Sequence, residues 1–292
     1  MPDILIELFS EEIPARMQSR AAADLQRLVT DGIVEAGLTY AHAAAFSTPR
    51  RLVLALDGVL AESPAQREER KGPRVDAPEK AIEGFLRSTG LTRDDLTVQD
   101  DKKGEVFVAV IETPGRPASH IIAETLENTI RKFPWPKSMR WGQGSLRWVR
   151  PLHGILCIAT DQAGSEVVPM EIDGLSSSAQ TRGHRFLAPA AFAVASFSDY
   201  EAKLKRAHVL LRAEDRAEHI WHDATQQAFA LGLEVVEDPG LLSEVAGLVE
   251  WPVVLMGQIG ADFLELPPEV LRTSMREHQK FFSVRDPATG RI

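Results

Sequence analysis

Cysteine is nearly absent from this chain of 292 residues, since Cys157 is the only one. A single thiol excludes an internal disulfide framework and any metal site built from several cysteines. Because Cys157 lies in the apolar run 155–159, we expect a buried and unreactive thiol. A reducing cytoplasm fits this composition.

Signals for secretion and membrane insertion are also missing. No apolar run approaches the roughly 18 residues that predict a membrane-spanning helix. The first ten residues contain no basic segment, and their apolar run is too short for a signal peptide. The sequence therefore predicts a cytoplasmic protein without a membrane partner.

Common motifs of nucleotide and hydrolytic chemistry are lacking as well. The chain has no G-x-x-x-x-G-K-[ST] loop, no G-x-G-x-x-G fingerprint, no G-x-S-x-G elbow and no H-E-x-x-H pair. His219 and His222 lie three apart on a predicted helix and could ligate a metal. Their charged neighbours favour a solvated helix face, so we predict neither a metal site nor a catalytic residue here.

Apolar periodicity predicts strands and helices in mixed order along the chain. The predicted strands are 3–9, 41–46, 51–56, 105–112, 153–160, 166–172, 252–257 and 280–284. The predicted helices are 14–37, 76–90, 119–133, 198 onward, 216–231, 241–249 and 268–275. Asp76 and the pair Ser198 and Glu201 are the expected helix caps, and the polar stretch 62–74 is expected to be a loop or an exposed crossing. This order favours an α+β fold with mainly antiparallel strands.

Residues 174–180, GLSSSAQ, predict an exposed loop or a domain boundary. Either one large or two smaller α+β domains fit, the latter with an N-terminal domain over 1–175 and a second over 176–292. The turn at 286–290 has no return strand after it. We therefore expect the second domain to be truncated at its C-terminal end.

One segment stands apart in charge. Residues 128–160 contain no Asp or Glu, although the chain holds 42 acidic residues and a net charge of −9. Within it, residues 137–151, KSMRWGQGSLRWVRP, form a segment that we call the basic loop. Its cations are Lys137, Arg140, Arg147 and Arg150, and its aromatic residues are Trp141 and Trp148. Cations can bind phosphates and flat rings can stack on bases, so the loop predicts local contact with a nucleic acid.

Structural interpretations of the same residues stay open. Trp is usually a core residue, and Arg is often a solvated side chain or the partner of a carboxylate or an aromatic ring. Gly142 and Gly144 allow either a turn or the close approach of a ligand. A second candidate surface contains Arg182, His184, Arg185 and Lys280, and Thr48–Arg51 could extend either surface.

Seven motifs, in the same order, resemble the β subunit of bacterial heterotetrameric glycyl-tRNA synthetases. They are LFSEEIPARM, FSTPRRL, KSMRW, VRPLHGIL, TRGHRF, EVAGLVEWPVVLMG and MREHQKFF. They extend from the first ten residues to the last fifteen. One departure is Phe282, where many relatives have Tyr, which puts one hydrogen bond in doubt.

The resemblance implies a division of labour between subunits. In that family an α subunit has the class II active site and binds ATP, Mg²⁺ and glycine, whereas the β subunit binds tRNA within an α2β2 assembly. Family β chains are longer and continue into an HD-type helical domain and an anticodon-binding domain. This chain is therefore expected to be an N-terminal part with no cofactor of its own.

Two functions follow from the resemblance. The first is a tRNA-binding and assembly part that supports the ATP-dependent attachment of glycine to its tRNA. Its expected RNA-binding residues are Lys137, Arg140, Trp141, Arg147, Arg150, Arg182, His184, Arg185 and Lys280. The second is an editing-type hydrolase with His184, Glu250 and His278 in one cleft. A glycine site excludes larger amino acids by size, which favours the first function.

Overall fold

The computed structural model describes residues 1–101 and 104–292. Its strands are β1 (Asp3–Ser10), β2 (His42–Thr48), β3 (Arg51–Asp57), β4 (Gln66–Arg74), β5 (Leu96–Asp101), β6 (Gly104–Thr113), β7 (Leu152–Asp161), β8 (Gly164–Val167), β9 (Glu171–Ile172), β10 (Leu175–Ser178), β11 (Gln180–Arg182), β12 (Ala191–Ala193), β13 (Glu234–Val235) and β14 (Val284–Arg285). Its α-helices are α1 (Ala15–Glu35), α2 (Glu79–Thr89), α3 (Ala118–Arg131), α4 (Phe197–Arg206), α5 (Ala213–Ala230), α6 (Pro239–Ala246) and α7 (Pro268–Thr273).

A seven-stranded sheet organises the molecule. Its strand order is β2-β3-β1-β7-β10-β9, and β8 also pairs with β7. The central strand β1 is antiparallel to both β3 and β7. Among the described residues, β10 alone runs parallel to a neighbouring strand. The predicted α+β fold with mainly antiparallel strands is confirmed.

The two faces of β1 have different surroundings because side chains alternate along a strand. Ile4, Ile6 and Leu8 are buried in the core beneath α1 and α3. Leu5 faces a second, smaller core that includes residues of α4. Glu7 is two residues from Leu5, so its side chain lies on the same face, and it is also buried. This second face must therefore contain partners for a carboxylate.

Helix α1 covers the sheet with one apolar stripe. Leu25, Val29 and Ile33 recur every four residues and are fully buried, as helical periodicity predicts. Helix α3 packs beside it. Beneath them Cys157 on β7 is buried, as expected. Burial raises the pKa of its thiol to about 12, which disfavours the reactive thiolate.

A smaller sheet has the strand order β4-β6-β5, and helix α2 packs against its strand β4. The loop predicted for 62–74 is wrong, because β4 occupies most of it and pairs with β6. An edge strand on a solvated sheet needs few apolar residues, since its backbone supplies the pairing. The predicted cap of α2 is also wrong. Pro78 occupies the N-cap position, and Asp76 instead pairs with Arg74 at 2.6 Å.

Four further predictions in the second half are wrong. Of the strand predicted at 280–284, only Val284 lies in a strand, β14. Leu175–Ser178 is a strand of the large sheet, not an exposed loop. Ser196 caps α4, two residues before the predicted Ser198. No strand forms at 252–257, where Val253 and Leu255 are exposed. The division into domains at residue 175 stays a prediction. No helix in the described part of the chain has the length and apolar character to span a membrane.

Candidate nucleic-acid interface

The basic loop lies between α3 and β7 and has a hairpin-like path. Pro134 and Pro136 follow the end of α3, where proline cannot continue the helix. Met139 and Trp148 form one antiparallel bridge, in which each backbone N–H donates to the other residue's carbonyl oxygen, at 2.8 and 3.1 Å. The bridge closes the loop, so Arg140 and Arg147 are the residues next to it on the two limbs.

Asp173 holds the tip of the basic loop. Its carboxylate accepts hydrogen bonds from the backbone N–H groups of Ser145 and Leu146 at 3.2 Å, which lower its pKa. A Cβ atom on Gly144 would lie 1.9 Å from Oδ2 of Asp173. Gly144 therefore allows the close approach of this carboxylate. Gly142 supplies the turn, with a φ of 57°.

We expect Gly144→Ala to lower the free energy of unfolding by about 1–3 kcal/mol, because the added methyl group displaces the Asp173 carboxylate. Urea unfolding measures this. The matched control is Gly84→Ala in α2, where an added Cβ meets nothing within 4 Å. That substitution should stabilise the chain by about 0.5–1 kcal/mol. Equal effects at the two positions would contradict the anchoring role of Asp173.

The tryptophans of this region differ in exposure. Trp148 is fully buried, with its ring centroid 4.9 Å from Phe133 and 5.0 Å from Trp135. A base cannot reach it, so Trp148 has the structural role that the sequence left open and braces the loop, whereas stacking on it is excluded. Trp141 is partly buried and packs against the main core. Its role as an RNA-binding residue stays a prediction.

All four cations of the basic loop are exposed. Lys137 and Arg140 have no carboxylate partner among the described residues. The guanidinium of Arg147 donates to Oγ and to the carbonyl oxygen of Ser138, at 3.2 and 3.4 Å. Arg150 donates to the carbonyl oxygen of Val149 at 2.9 Å. These contacts orient the side chains without neutralising their charge, which leaves a positive surface on an acidic protein.

The second candidate surface is largely neutralised. Arg185 donates to Glu12 at 2.5 Å and lies 3.6 Å from Glu11. Lys280, after α7, pairs with Glu244 of α6 at 3.0 Å. Arg182 is exposed, and its guanidinium lies 3.4 Å from a backbone carbonyl oxygen. The charge that could bind phosphate is therefore much smaller here than on the basic loop.

The imidazole of His184 is hydrogen-bonded within its own turn. Its Nδ1 accepts hydrogen bonds from the backbone N–H groups of Phe186 and Leu187, at 3.4 and 3.2 Å. The backbone N–H of His184 donates to the carbonyl oxygen of Ala207 at 2.9 Å. Burial lowers the pKa of its imidazole. This shift disfavours a positive charge on the ring, and the RNA-binding role of His184 stays a prediction.

A buried polar cluster, which the sequence did not predict, lies behind this second surface. Arg51 has no exposed surface and donates to Glu7 at 3.1 Å, to Glu250 and to the backbone carbonyl oxygen of Arg182. Thr48 donates to Glu250 at 2.6 Å. The proposal that Thr48–Arg51 extends a binding surface is wrong for Thr48 and Arg51, because both are fully buried.

The carboxylate of Glu7 completes the cluster. Thr181 donates to it at 2.5 Å, and the hydroxyl of Tyr200 also donates to it. Burial raises the pKa of Glu7, whereas Arg51 and the two hydroxyl groups oppose that shift. Three of the seven motifs thus meet in one scaffold, which joins β1, β3, β11 and the segment after α6.

Arg216 on α5 is a second buried cation. Its guanidinium donates to the carbonyl oxygens of Ala246, Leu210 and Leu211 at 2.8 Å and of Ser47 at 3.0 Å. Burial lowers its pKa to about 10. The side chain ties α5 and the end of α6 to β2, so it is structural.

The geometry does not assemble the editing-type site. Glu250 is buried in the polar cluster, and Nδ1 of His184 is occupied by backbone donors. His278 is exposed on the π-helical turn Ser274–Gln279. None of the three lines the groove beside Arg276 and Phe281 or the groove between α1 and residues 133–137. Within residues 1–101 and 104–292, no group of three or more His, Cys, Asp or Glu side chains could hold a metal ion.

Comparison with known proteins decides the family. A sequence model described as "Glycyl-tRNA synthetase beta subunit" matches residues 4–292. The chain belongs to this family. The resemblance inferred from the seven motifs is thereby confirmed. The basic loop and the buried cluster are thus features of the matched part of a glycyl-tRNA synthetase β-subunit family member.

Relatives within the family are similar over the whole chain. It is 73% identical over 292 residues to the glycine–tRNA ligase beta subunit of Cereibacter sphaeroides. The corresponding proteins of a Ruegeria species and of Paracoccus denitrificans are 70% and 67% identical over the same length. The chain spans 42–43% of the length of these relatives.

Proposed function

We propose that this chain is the tRNA-binding and assembly part of a cytoplasmic glycine–tRNA ligase β subunit. In this proposal a partner α subunit, which binds ATP and Mg²⁺, attaches glycine to the tRNA. A second β subunit completes an α2β2 assembly. Family membership supports the enzyme class, and the basic loop supports the contact with tRNA.

The exposed cations without carboxylate partners support RNA binding most strongly. A surface arginine beside a carboxylate exchanges one ion pair for another when it binds phosphate. Arg140 and Lys137 lose no such pair, and Arg147 is already oriented by Ser138. Binding at the basic loop therefore gains the free energy of counterion release without a competing internal salt bridge.

The acidic remainder of the chain supports a local contact. The net charge is −9, so the polyanion is repelled from most of the surface. Arg182 and Arg185 stay in the proposal as minor contacts, since Arg185 must leave Glu11 and Glu12 to bind phosphate. His184 and Lys280 contribute less, because burial disfavours a charge on the first and the second is paired with Glu244.

A salt series tests the proposal. If four cations contact phosphates, the affinity of the chain for tRNA should fall about a hundredfold between about 50 and 200 mM salt. Fluorescence anisotropy with labelled tRNA measures this fall. An affinity that does not depend on salt would contradict binding through the basic loop.

A further inference from the structure

A groove of about 470 Å³ lies beside the basic loop, between the first turns of α1 and the segment after α3. One wall contains Arg16, Met17 and Arg20, and the other contains Phe133–Lys137. Lys137 belongs to both the groove and the basic loop. The groove is therefore adjacent to the basic loop.

The charge of the groove is positive. Arg16 is exposed and has no carboxylate partner among the described residues. Arg20 lies 3.6 Å from Asp24, and its side chain is 78% exposed. Asp24 also accepts a hydrogen bond from Arg27 at 3.2 Å. The groove is therefore lined by three cations, Arg16, Arg20 and Lys137, and by one carboxylate, that of Asp24. This carboxylate also pairs with Arg27, which does not line the groove.

Trp135 supplies a rigid aromatic wall. Its ring centroid lies 4.8 Å from that of Phe133, and the ring stands edge-on to Trp148 at 5.0 Å. The flanking Pro134 and Pro136 restrict the backbone of this segment. The indole is therefore held in place before any ligand binds, which reduces the ordering cost of a stacked contact.

We propose that the groove binds an unpaired strand of RNA, with its phosphates on Arg16, Arg20 and Lys137 and a base against Trp135. This inference rests on the proposed tRNA-binding function. Paired bases are stacked within their own helix, whereas unpaired bases are free to stack on a protein ring. A peptide of acidic residues alone would satisfy the cations but would leave the aromatic wall without a stacking partner.

The test compares single-stranded and paired RNA on the full 292-residue chain. Arg16→Ala with Arg20→Ala should weaken binding of a short single-stranded oligoribonucleotide about tenfold or more and reduce its salt slope by about 1.4. Binding of a blunt RNA duplex with the same number of phosphates should change less than about twofold. Lys80→Ala with Arg87→Ala, two exposed cations of α2, is the matched control and should leave both ligands unaffected.

Cross-linking locates the strand directly. An oligoribonucleotide that contains 4-thiouridine should cross-link to peptides covering 133–137 or 15–21. Cross-links confined to other peptides would overturn the proposal, as would equal losses for the single strand and the duplex. Binding of oligoglutamate with the affinity of the oligoribonucleotide would instead indicate a site for acidic peptides, and would also overturn it.

The two proposals fail in different ways. If tRNA binds with a steep salt slope but the oligoribonucleotide does not cross-link in the groove, the groove proposal alone is wrong. If tRNA binding is independent of salt, the proposed function itself is wrong.

Discussion

Arg51→Ala should lower the free energy of unfolding by about 3–5 kcal/mol, because it leaves two buried carboxylates without their shared cation. Glu7 and Glu250 both contact this guanidinium, and neither has more than 5% of its surface exposed. The affected segments are far apart in sequence. The loss should therefore be global and cooperative in urea unfolding, not confined to one loop.

The destabilisation should depend on pH. Burial raises the folded-state pKa of Glu7 above its ordinary 4.5, and loss of Arg51 raises it further. A carboxyl group with a raised folded-state pKa stabilises the fold below its unfolded pKa, and this contribution is lost as pH rises through the folded value. The difference between wild type and Arg51→Ala should therefore be smaller near about pH 4.5 than near about pH 8.

Two controls isolate the buried charge. Arg70→Ala removes an exposed arginine that pairs with Glu68 at 2.8 Å, and should change stability by less than about 1 kcal/mol. Arg51→Met combined with Glu7→Gln and Glu250→Gln should recover part of the loss, since no unpaired charge remains buried. If Arg51→Ala were as mild as Arg70→Ala, the buried cluster would not stabilise the fold as described.

Reversal of two charges on the basic loop should have the largest effect on tRNA binding. Arg140→Glu with Arg147→Glu removes two cations beside the Met139–Trp148 bridge and places two anions there. We expect the affinity for tRNA to fall about a hundredfold or more at low salt. Both side chains are exposed, so the thermal unfolding midpoint should be nearly unchanged. Equilibrium binding to labelled tRNA measures the loss.

The control is a double reversal elsewhere on the chain. Lys80→Glu with Arg87→Glu on α2 changes the net charge by the same amount. If net charge alone governs binding, both double variants should lose equal affinity. If the basic loop is the contact, the α2 variant should retain most of its affinity. Equal losses would therefore remove the basic loop from the interface.

Local periodicity predicted much of the fold but could not predict pairing across the chain. Strand β1 and helix α1 were predictable because their apolar residues recur at regular spacing. In contrast, Arg51 is flanked by Arg50 and Leu52, and its partner Glu250 is 199 residues away in the sequence. Nothing in the local sequence distinguishes this buried arginine from a solvated one.

Composition predicted the wrong structure in two segments for opposite reasons. Strand β4 is polar because it lies at the edge of an exposed sheet, where backbone pairing is sufficient. Residues 252–257 are apolar, but they form no strand with any other described residues. In the basic loop the charge pattern located the exposed cations. It could not separate buried Trp148 from partly exposed Trp141, because that difference depends on packing against Phe133 and Trp135.

The salt slope of tRNA binding, compared between wild type and Arg140→Glu with Arg147→Glu, shows whether the basic loop contacts phosphates. If both arginines contact phosphates, loss of two contacts should reduce the slope of log affinity against log salt by about 1.8. A slope that is the same in both proteins would show that the phosphates are bound elsewhere, and would contradict the role assigned to the basic loop.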